Sequence, residues 1–496
     1  MLQIETERDI ERLRQVALLQ EAEIHRLLAR LAELTRQLAE ARGEDVVRAL
    51  QLELTVINEQ LAARNRALFG TSSEKRARGD AGDGGKAKAP QSGHPRREQR
   101  DLPLVEVVHE LDEADKACPK CGGDLTAWAG QFEAADEIDV IERSFRIVRH
   151  KRQKYRCGCG ECIETALGPQ KLVPGGRYSV DFAIEVAVAK YLDHMPLARQ
   201  VRQMGREGLR VDTQTLWDQI FALHGHLVPT YDAILRLVLE APVIGADETR
   251  WLLMDAKGST KWWAWSVCSP EGVAYRIFPE RSTDAGAELL AGYRGIVVCD
   301  GYATYPSVRE RLARDGPSFT IANCWAHVRR GFFDAEDAYP KAKEMIELIG
   351  KLYEVEVRAS EKNLDLGELR RTESAEIVAE IKGWLTSTVA TPQSSLGKAI
   401  LYALKQWREL ELYLTDARIP IDNNATERGM RGLAVGRKNH YGSRSERGTK
   451  VAALFYTLIE SAKLVGVNPK HYLREATRRA IATPGAVTLP RELLAE

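Results

Sequence analysis

No uninterrupted apolar run among the 496 residues approaches the 18 or more that a membrane span needs. The first residues are acidic and rich in Gln and Arg, where a secretory signal would show a cationic start and an apolar stretch. These absences predict a cytoplasmic, nucleoid-associated chain with no membrane partner. Cysteine is scarce: the eight present are not expected to form disulfides in a reducing compartment, so any clustering among them points to metal. Net charge is lacking altogether, Lys+Arg and Asp+Glu each counting 71, which argues against the whole-molecule basicity of many nucleic-acid binders. The rest of the composition, 29% charged and 44% hydrophobic, is that of an ordinary folded chain, long enough for about three domains.

The neutrality is a sum of opposed blocks. Residues 1–68 carry a heptad pattern, with Ile10, Ala17, Ile24, Leu31 and Leu38 at one core position and Leu13, Leu27, Leu34 and Ala41 at the other. This predicts a coiled coil, with a phase break at Gly43; it either pairs protomers into a homo-oligomer or folds back on its own chain. Residues 69–100 are poor in apolar side chains and predict a disordered basic linker, a DNA arm or a plain tether. Asp101 to Asp139 holds eleven acidic and two basic residues, and Glu142 to Arg156 seven basic and one acidic.

Two cysteine knuckles lie across this reversal, Cys118-Pro-Lys-Cys121 and Cys157-Gly-Cys159-Gly-Glu-Cys162. Paired thiolates turned by glycine are what a tetrahedral structural Zn²⁺ site requires, so residues 101–172 predict a zinc-binding domain. Five cysteines compete for four places. Cys118, Cys121, Cys159 and Cys162 keep the usual spacing, with Cys157 as the alternative. A ribbon between the knuckles would present Arg149, Lys151 and Arg152 to a DNA backbone.

Residues 173–240 have helical periodicity with a glycine turn at Gly208, which fits a helix-turn-helix or plain helical packing. From Pro242 the pattern becomes strand-like. Three meandering strands are followed by alternating helix and strand: an α/β layout with the strand order of a ribonuclease H-like fold. Asp247 is expected to close the first strand and Asp300 the fourth, so that two carboxylates project at one edge of the sheet. Such a pair suits Mg²⁺ or Mn²⁺, and two ions can activate water or a 3′-hydroxyl for attack on a phosphodiester. Glu427, in Asp422-Asn423-Asn424-Ala425-Thr426-Glu427, is the third carboxylate, with the Asn residues expected to cap its helix. Asp422 and Glu248 are read as a cap or supporting groups. Glu427 lies 127 residues beyond Asp300, which requires a helical insertion.

Before the insertion, Cys324-Trp325-Ala326-His327-Val328-Arg329-Arg330 places Cys324 and His327 one helical turn apart, as a small metal site or, more simply, as packing. Arg329 and Arg330 read as phosphate contacts. After Glu427, Arg431, Arg437 and Lys438 are interleaved with glycines, which reads as backbone approaching a phosphate chain.

Asp247-Glu248-Thr249, Cys299-Asp300-Gly301-Tyr302, the Cys324 to Arg330 segment, Asp422-Asn423-Asn424 through Glu427 and Arg431, and Gly436-Arg437-Lys438-Asn439, in this order, resemble the transposase of bacterial insertion-sequence family sixty-six. The resemblance implies a DDE-type DNA transposase with Asp247, Asp300 and Glu427 as its metal-binding catalytic triad. It further implies cleavage at the element's inverted repeats, strand transfer into target DNA, and small accessory proteins from the same element. The architecture expected is thus multidomain α/β: coiled coil (1–68), linker (69–100), zinc-binding domain (101–172), helical DNA-binding domain (173–240), ribonuclease H-like core (241–339 and 421–466) interrupted by a helical insertion (340–420), and a tail (467–496). The rival reading is a non-catalytic DNA-binding regulator built on the same modules.

Overall fold

The computed structural model describes residues 143–156, 163–255 and 258–494, with isolated positions between 29 and 127. Almost all of the expected coiled coil, the basic linker and the five knuckle cysteines fall outside the described residues. The chain divides into two units, residues 1–68 with 144–496, and residues 69–143. The architecture below belongs to the first.

A short ribbon opens it. Strands β1 (Lys154–Arg156) and β2 (Ile163–Thr165) pair antiparallel with Tyr155 opposite Glu164. This ribbon flanks the second knuckle. Of the ribbon expected between the knuckles, the described residues 143–153 carry no strand and lie mostly exposed, and only β1 forms ahead of Cys157.

Helices α1 (Val180–Tyr191), α2 (Leu197–Arg206) and α3 (Thr213–Glu240) follow. The Ser179 hydroxyl caps α1 by accepting from the Phe182 amide, and Asp212 caps α3 through the Thr215 amide at 2.6 Å. The sequence pattern predicts an end for α3 near Leu227, yet the helix runs on through Pro229. Leu223, Leu227, Thr230, Ile234 and Val238 continue one buried stripe across the proline, and that burial outweighs the single hydrogen bond proline removes.

The central sheet has the order β5-β4-β3-β6-β7, from β3 (Val243–Asp255), β4 (Gly258–Ser269), β5 (Gly272–Phe278), β6 (Ile296–Cys299) and β7 (Thr320–Asn323). The first three form an antiparallel meander; β6 runs parallel to β3, and β7 to β6. Between them come α4 (Thr283–Leu289) and α5 (Thr304–Leu312), and after β7 comes α6 (Trp325–Ala335).

The insertion consists of α7 (Ala342–Glu361), α8 (Ala375–Ser387) and α9 (Ser395–Lys405), then a short helix at Trp407–Glu411. Its core is continuous with the sheet: Phe332, Leu352, Ile381 and Trp407 belong to the same buried cluster as Val243, Val298 and Ala322. Arg370, 1% exposed, closes its far end, with Nε and Nη2 both donating to the Glu356 carboxylate at 2.7 Å and Nη1 to the Tyr413 and Ile419 carbonyls.

The chain then returns as α10 (Asn424–His440), α11 (Glu446–Leu464) and α12 (Pro469–Ala482). Helix α11 protects the open edge of β5. The Val273 and Tyr275 amides donate to the Ser461 and Thr457 hydroxyls at 3.0 Å, and Ser461 donates back to the Val273 carbonyl.

Candidate active site

The parallel register of β3 on β6 decides where two carboxylates meet. Val243 pairs with Ile296, Ile244 with Val297 and Gly245 with Val298; two residues further on each strand stand Asp247 and Asp300. The expectation that Asp247 closes its strand is corrected. Strand β3 continues to Asp255 along β4, and only its parallel partner β6 stops, leaving a notch in the sheet at Asp247. Burial pushes the Asp247 carboxyl up to about 7, and the charges of Glu248, Asp300 and Glu427 push the same way, against one bond from the Glu248 amide at 2.8 Å.

Glu427 arrives on the first turn of α10, which lies against β3 where Gly245 has no side chain. A Cβ there would fall 1.9 Å from the Thr426 hydroxyl and 2.6 Å from the Asn423 amide oxygen. The expected Asn cap is also corrected. Asn423 makes no side-chain cap; its Nδ2 reaches across to the Ala246 carbonyl at 2.9 Å and pins the helix start to the strand. Asp422 does the local work, accepting from the Asn424 amide at 3.0 Å.

Cys324, at the end of β7, completes the joint. Its buried sulfur accepts from the Asn423 amide at 3.2 Å, and the next amide, Trp325, donates to the Ile421 carbonyl at 3.1 Å. Cys324 is therefore a buttress, with its thiol pushed up to about 11 chiefly by burial. His327, one turn on, stands 3.6 Å from Glu427 through Nε2. Sequence reasoning did not connect these two side chains. The signal was the turn-length spacing of Cys324 and His327, which locks one to the helix start and aims the other at the carboxylate beyond it.

Glu248 alternates to the opposite face. It is buried there, bonded by the Arg281 guanidinium (Nε at 2.8 Å) and the Tyr305 hydroxyl at 2.7 Å. Arg281 also stacks on Tyr302, 3.5 Å from the ring centre, and the Tyr302 amide donates to Asp300 at 3.0 Å. Glu248 thus supports the turn that carries Asp300.

Three oxygen-bearing side chains around a notch, with the charges of Asp300 and Glu427 raising Asp247, have the chemistry to suit a hard divalent cation. Among the described residues no three His, Cys, Asp or Glu side chains are drawn together tightly enough to cage an ion by themselves.

The expected cationic contacts sort into two groups. Arg330, Arg431 and Lys438 are exposed, as are Arg149 and Lys151, while Arg329 is half-buried. Arg437 and Arg152 are committed within the fold: Arg437 to the Thr249 hydroxyl at 3.2 Å and to the Arg250 carbonyl, Arg152 to the Ala166 carbonyl at 2.5 Å. The phosphate-cradling role read for the glycines after Glu427 does not survive for Gly429, Gly432 and Gly436. They lie on helix α10, where a Cβ at Gly432 would meet Glu460 at 2.3 Å and one at Gly436 the Tyr456 hydroxyl at 1.9 Å. Close helix packing is what they permit.

Residues 175–451 match the family model described as Transposase IS66 family, and residues 115–160 the zinc-finger binding domain of transposase IS66. The chain belongs to the IS66 transposase family. Among its relatives in Sinorhizobium fredii, the uncharacterized protein y4qI is 31% identical over 490 residues, covering 92% of this chain and 89% of that one. The uncharacterized protein y4jD is 29% identical over 408 residues, 78% of each. An IS66 transposase acts on DNA, and its zinc-finger segment supports structural zinc in this one. No helix among the described residues is long and apolar enough to cross a membrane.

Proposed function

We propose that this transposase is of the DDE type, with a ribonuclease H-like core whose catalytic carboxylates are Asp247, Asp300 and Glu427. One observation carries the reading. The β3–β6 register sets Asp247 beside Asp300, and Gly245 admits the helix that brings Glu427 to the same notch. The sheet order β5-β4-β3-β6-β7, an antiparallel meander with parallel strands added beside β3, supports the fold assignment. A regulator without catalysis would leave this convergence of half-buried charge without a role.

The three carboxylates would hold Mg²⁺ or Mn²⁺, which when bound supplies Lewis acidity to an attacking water or 3′-hydroxyl and to the leaving oxygen. The chain's own work is positional. Asp247 is fixed mid-strand and Asp300 is held in a bonded turn. Glu427 rides on a helix pinned at Asn423, with His327 beside it. Exposed Arg330, Arg431 and Lys438 hold the DNA backbone across the notch, as Arg149 and Lys151 do in the exposed segment before the ribbon. Cleavage at the inverted repeats frees 3′-hydroxyls, which then join target DNA.

Structural zinc is held by Cys118, Cys121, Cys159 and Cys162, with Cys157 as the alternative in the second knuckle. The N-terminal coiled coil pairs protomers, and accessory proteins of the element assist.

The test is cleavage and joining of a DNA end by the full chain with Mg²⁺. Asp300→Asn and Glu427→Gln each reduce both steps by more than about a hundredfold. Activity unchanged in either variant overturns the proposal, and cleavage without joining reassigns the chain as a nuclease.

A further inference from the structure

We propose that Tyr402, in the inserted helices, is a positioning residue for Asp300, so that the insertion sets the metal affinity of the carboxylate notch. The inference rests on the carboxylate reading above and adds a residue and a role to it.

Asp300 is followed by a turn that has to hold its carboxyl at the notch. Within the turn, the Tyr302 amide donates to Asp300 Oδ1 at 3.0 Å. The amide between them, that of Gly301, turns the other way and donates to the Tyr402 hydroxyl at 3.1 Å, across 101 residues of sequence. Gly301 itself lacks a side chain for a reason: a Cβ would sit 2.2 to 2.5 Å from the Gln406 side-chain amide. Gln406 is fixed in turn. Its Oε1 accepts from Asn323 Nδ2 at 2.6 Å, at the end of β7, and its Nε2 donates to the Tyr402 carbonyl at 3.3 Å. The turn is therefore gripped from two sides, by Arg281 stacked on Tyr302 and by the Tyr402–Gln406 pair of the insertion.

A carboxylate on a bonded turn loses little freedom when it takes a cation; on a loose turn it loses more, and affinity falls. Deleting the Tyr402 hydroxyl removes one of the two grips and leaves the Gly301 amide to water. One hydrogen bond of this kind corresponds to a weakening of about three- to tenfold.

Mn²⁺ binding to the full chain without DNA, followed by the electron paramagnetic resonance of free Mn²⁺, reads this without requiring activity. Tyr402→Phe should weaken Mn²⁺ binding about three- to tenfold with an unchanged thermal melt. Gly301→Ala, which drives the turn off Gln406, should do the same by a different route. Asp300→Asn should weaken binding more, and Tyr402→Phe added to it should cost nothing further, because Tyr402 acts through Asp300.

Wild-type affinity in both Tyr402→Phe and Gly301→Ala overturns the inference. So does a loss that simply adds to that of Asp300→Asn, the mark of a general structural role. If Asp300→Asn itself leaves Mn²⁺ binding unchanged, the carboxylate reading falls, and this inference with it.

Discussion

Gly245→Ala tests the joint on which the site depends. The new methyl group would lie 1.9 Å from the Thr426 hydroxyl, 2.6 Å from Asn423 Oδ1 and 3.2 Å from Thr426 Cβ. None of these is the free end of a flexible chain: Thr426 is buried in the first turn of α10, and Asn423 is held to the Ala246 carbonyl at 2.9 Å. The helix start has to lift. Overpacking of this kind costs about 1–3 kcal/mol. Losing the buried Asn423 bond adds about 1–3 kcal/mol. Urea denaturation should therefore show a loss of about 2–6 kcal/mol, the range spanned by the sum of these two terms. Cleavage should fall further than stability alone explains, because the displaced turn carries Glu427. Gly225→Ala is the contrast, since that glycine sits on an exposed turn of α3 with nothing within 4 Å of a Cβ. There the same substitution should stabilise by about 0.5–1 kcal/mol through helix propensity. A Gly245→Ala chain with the wild-type denaturation midpoint and wild-type cleavage would refute the docking of α10 on β3 as the source of the site.

Other perturbations follow from the same contacts. Arg281→Met strands the buried Glu248 with the Tyr305 hydroxyl as its remaining partner and should cost about 3–5 kcal/mol in chemical denaturation, most of it recovered when Glu248→Gln is added. Burial, then the charges of Lys190 and His194, holds the His440 imidazole down to about 3. The native state thus keeps it neutral while the unfolded chain protonates it near 6.5, so its contribution is complete above that pH. Below it, between pH 6.5 and 5, stability should decline by up to about 1.4 kcal/mol per unit, and His440→Gln should flatten the decline. Metal analysis should find one zinc per chain, lost in Cys118→Ser, Cys121→Ser, Cys159→Ser and Cys162→Ser and kept in Cys157→Ser; loss in Cys157→Ser with retention in Cys159→Ser or Cys162→Ser would move the second pair of ligands.

The sequence made legible what depends on short apolar runs. Val243 to Ala246 and Ile296 to Cys299 each run into an aspartate, and parallel pairing of such runs leaves the two carboxylates adjacent whatever else the chain does. It concealed what depends on pairs far apart in sequence. Nothing in the alternation of Asp247, Glu248 and Thr249 shows that the middle residue turns away to an arginine 33 positions later, because pleating decides the face and the fold supplies the partner. The strand beyond Asp247 was equally hidden. Its free edge is filled by Ser443, whose amide donates to the Leu252 carbonyl at 2.9 Å, and there is no room for a side chain on Gly442, whose Cβ would fall 2.1 Å from that carbonyl.

The glycines of α10 show why composition misleads at such a place. Gly429, Gly432 and Gly436, with arginines and a lysine among them, have the composition of a phosphate-binding loop. Their spacing of three and then four is that of one helical face, and that face meets the Tyr275 and Tyr456 hydroxyls and Glu460. The same spacing sends Arg431 and Lys438 to the opposite, exposed face. Glycine and cation are thus parts of one arrangement: the small residues let the helix lie close to the sheet and to α11, and closeness on that side fixes where the cations stand relative to Glu427. Lengthening any of the three glycines by a methyl group should therefore disturb DNA cleavage through the carboxylates, while neutralising Arg431 or Lys438 should weaken DNA binding with metal affinity unchanged.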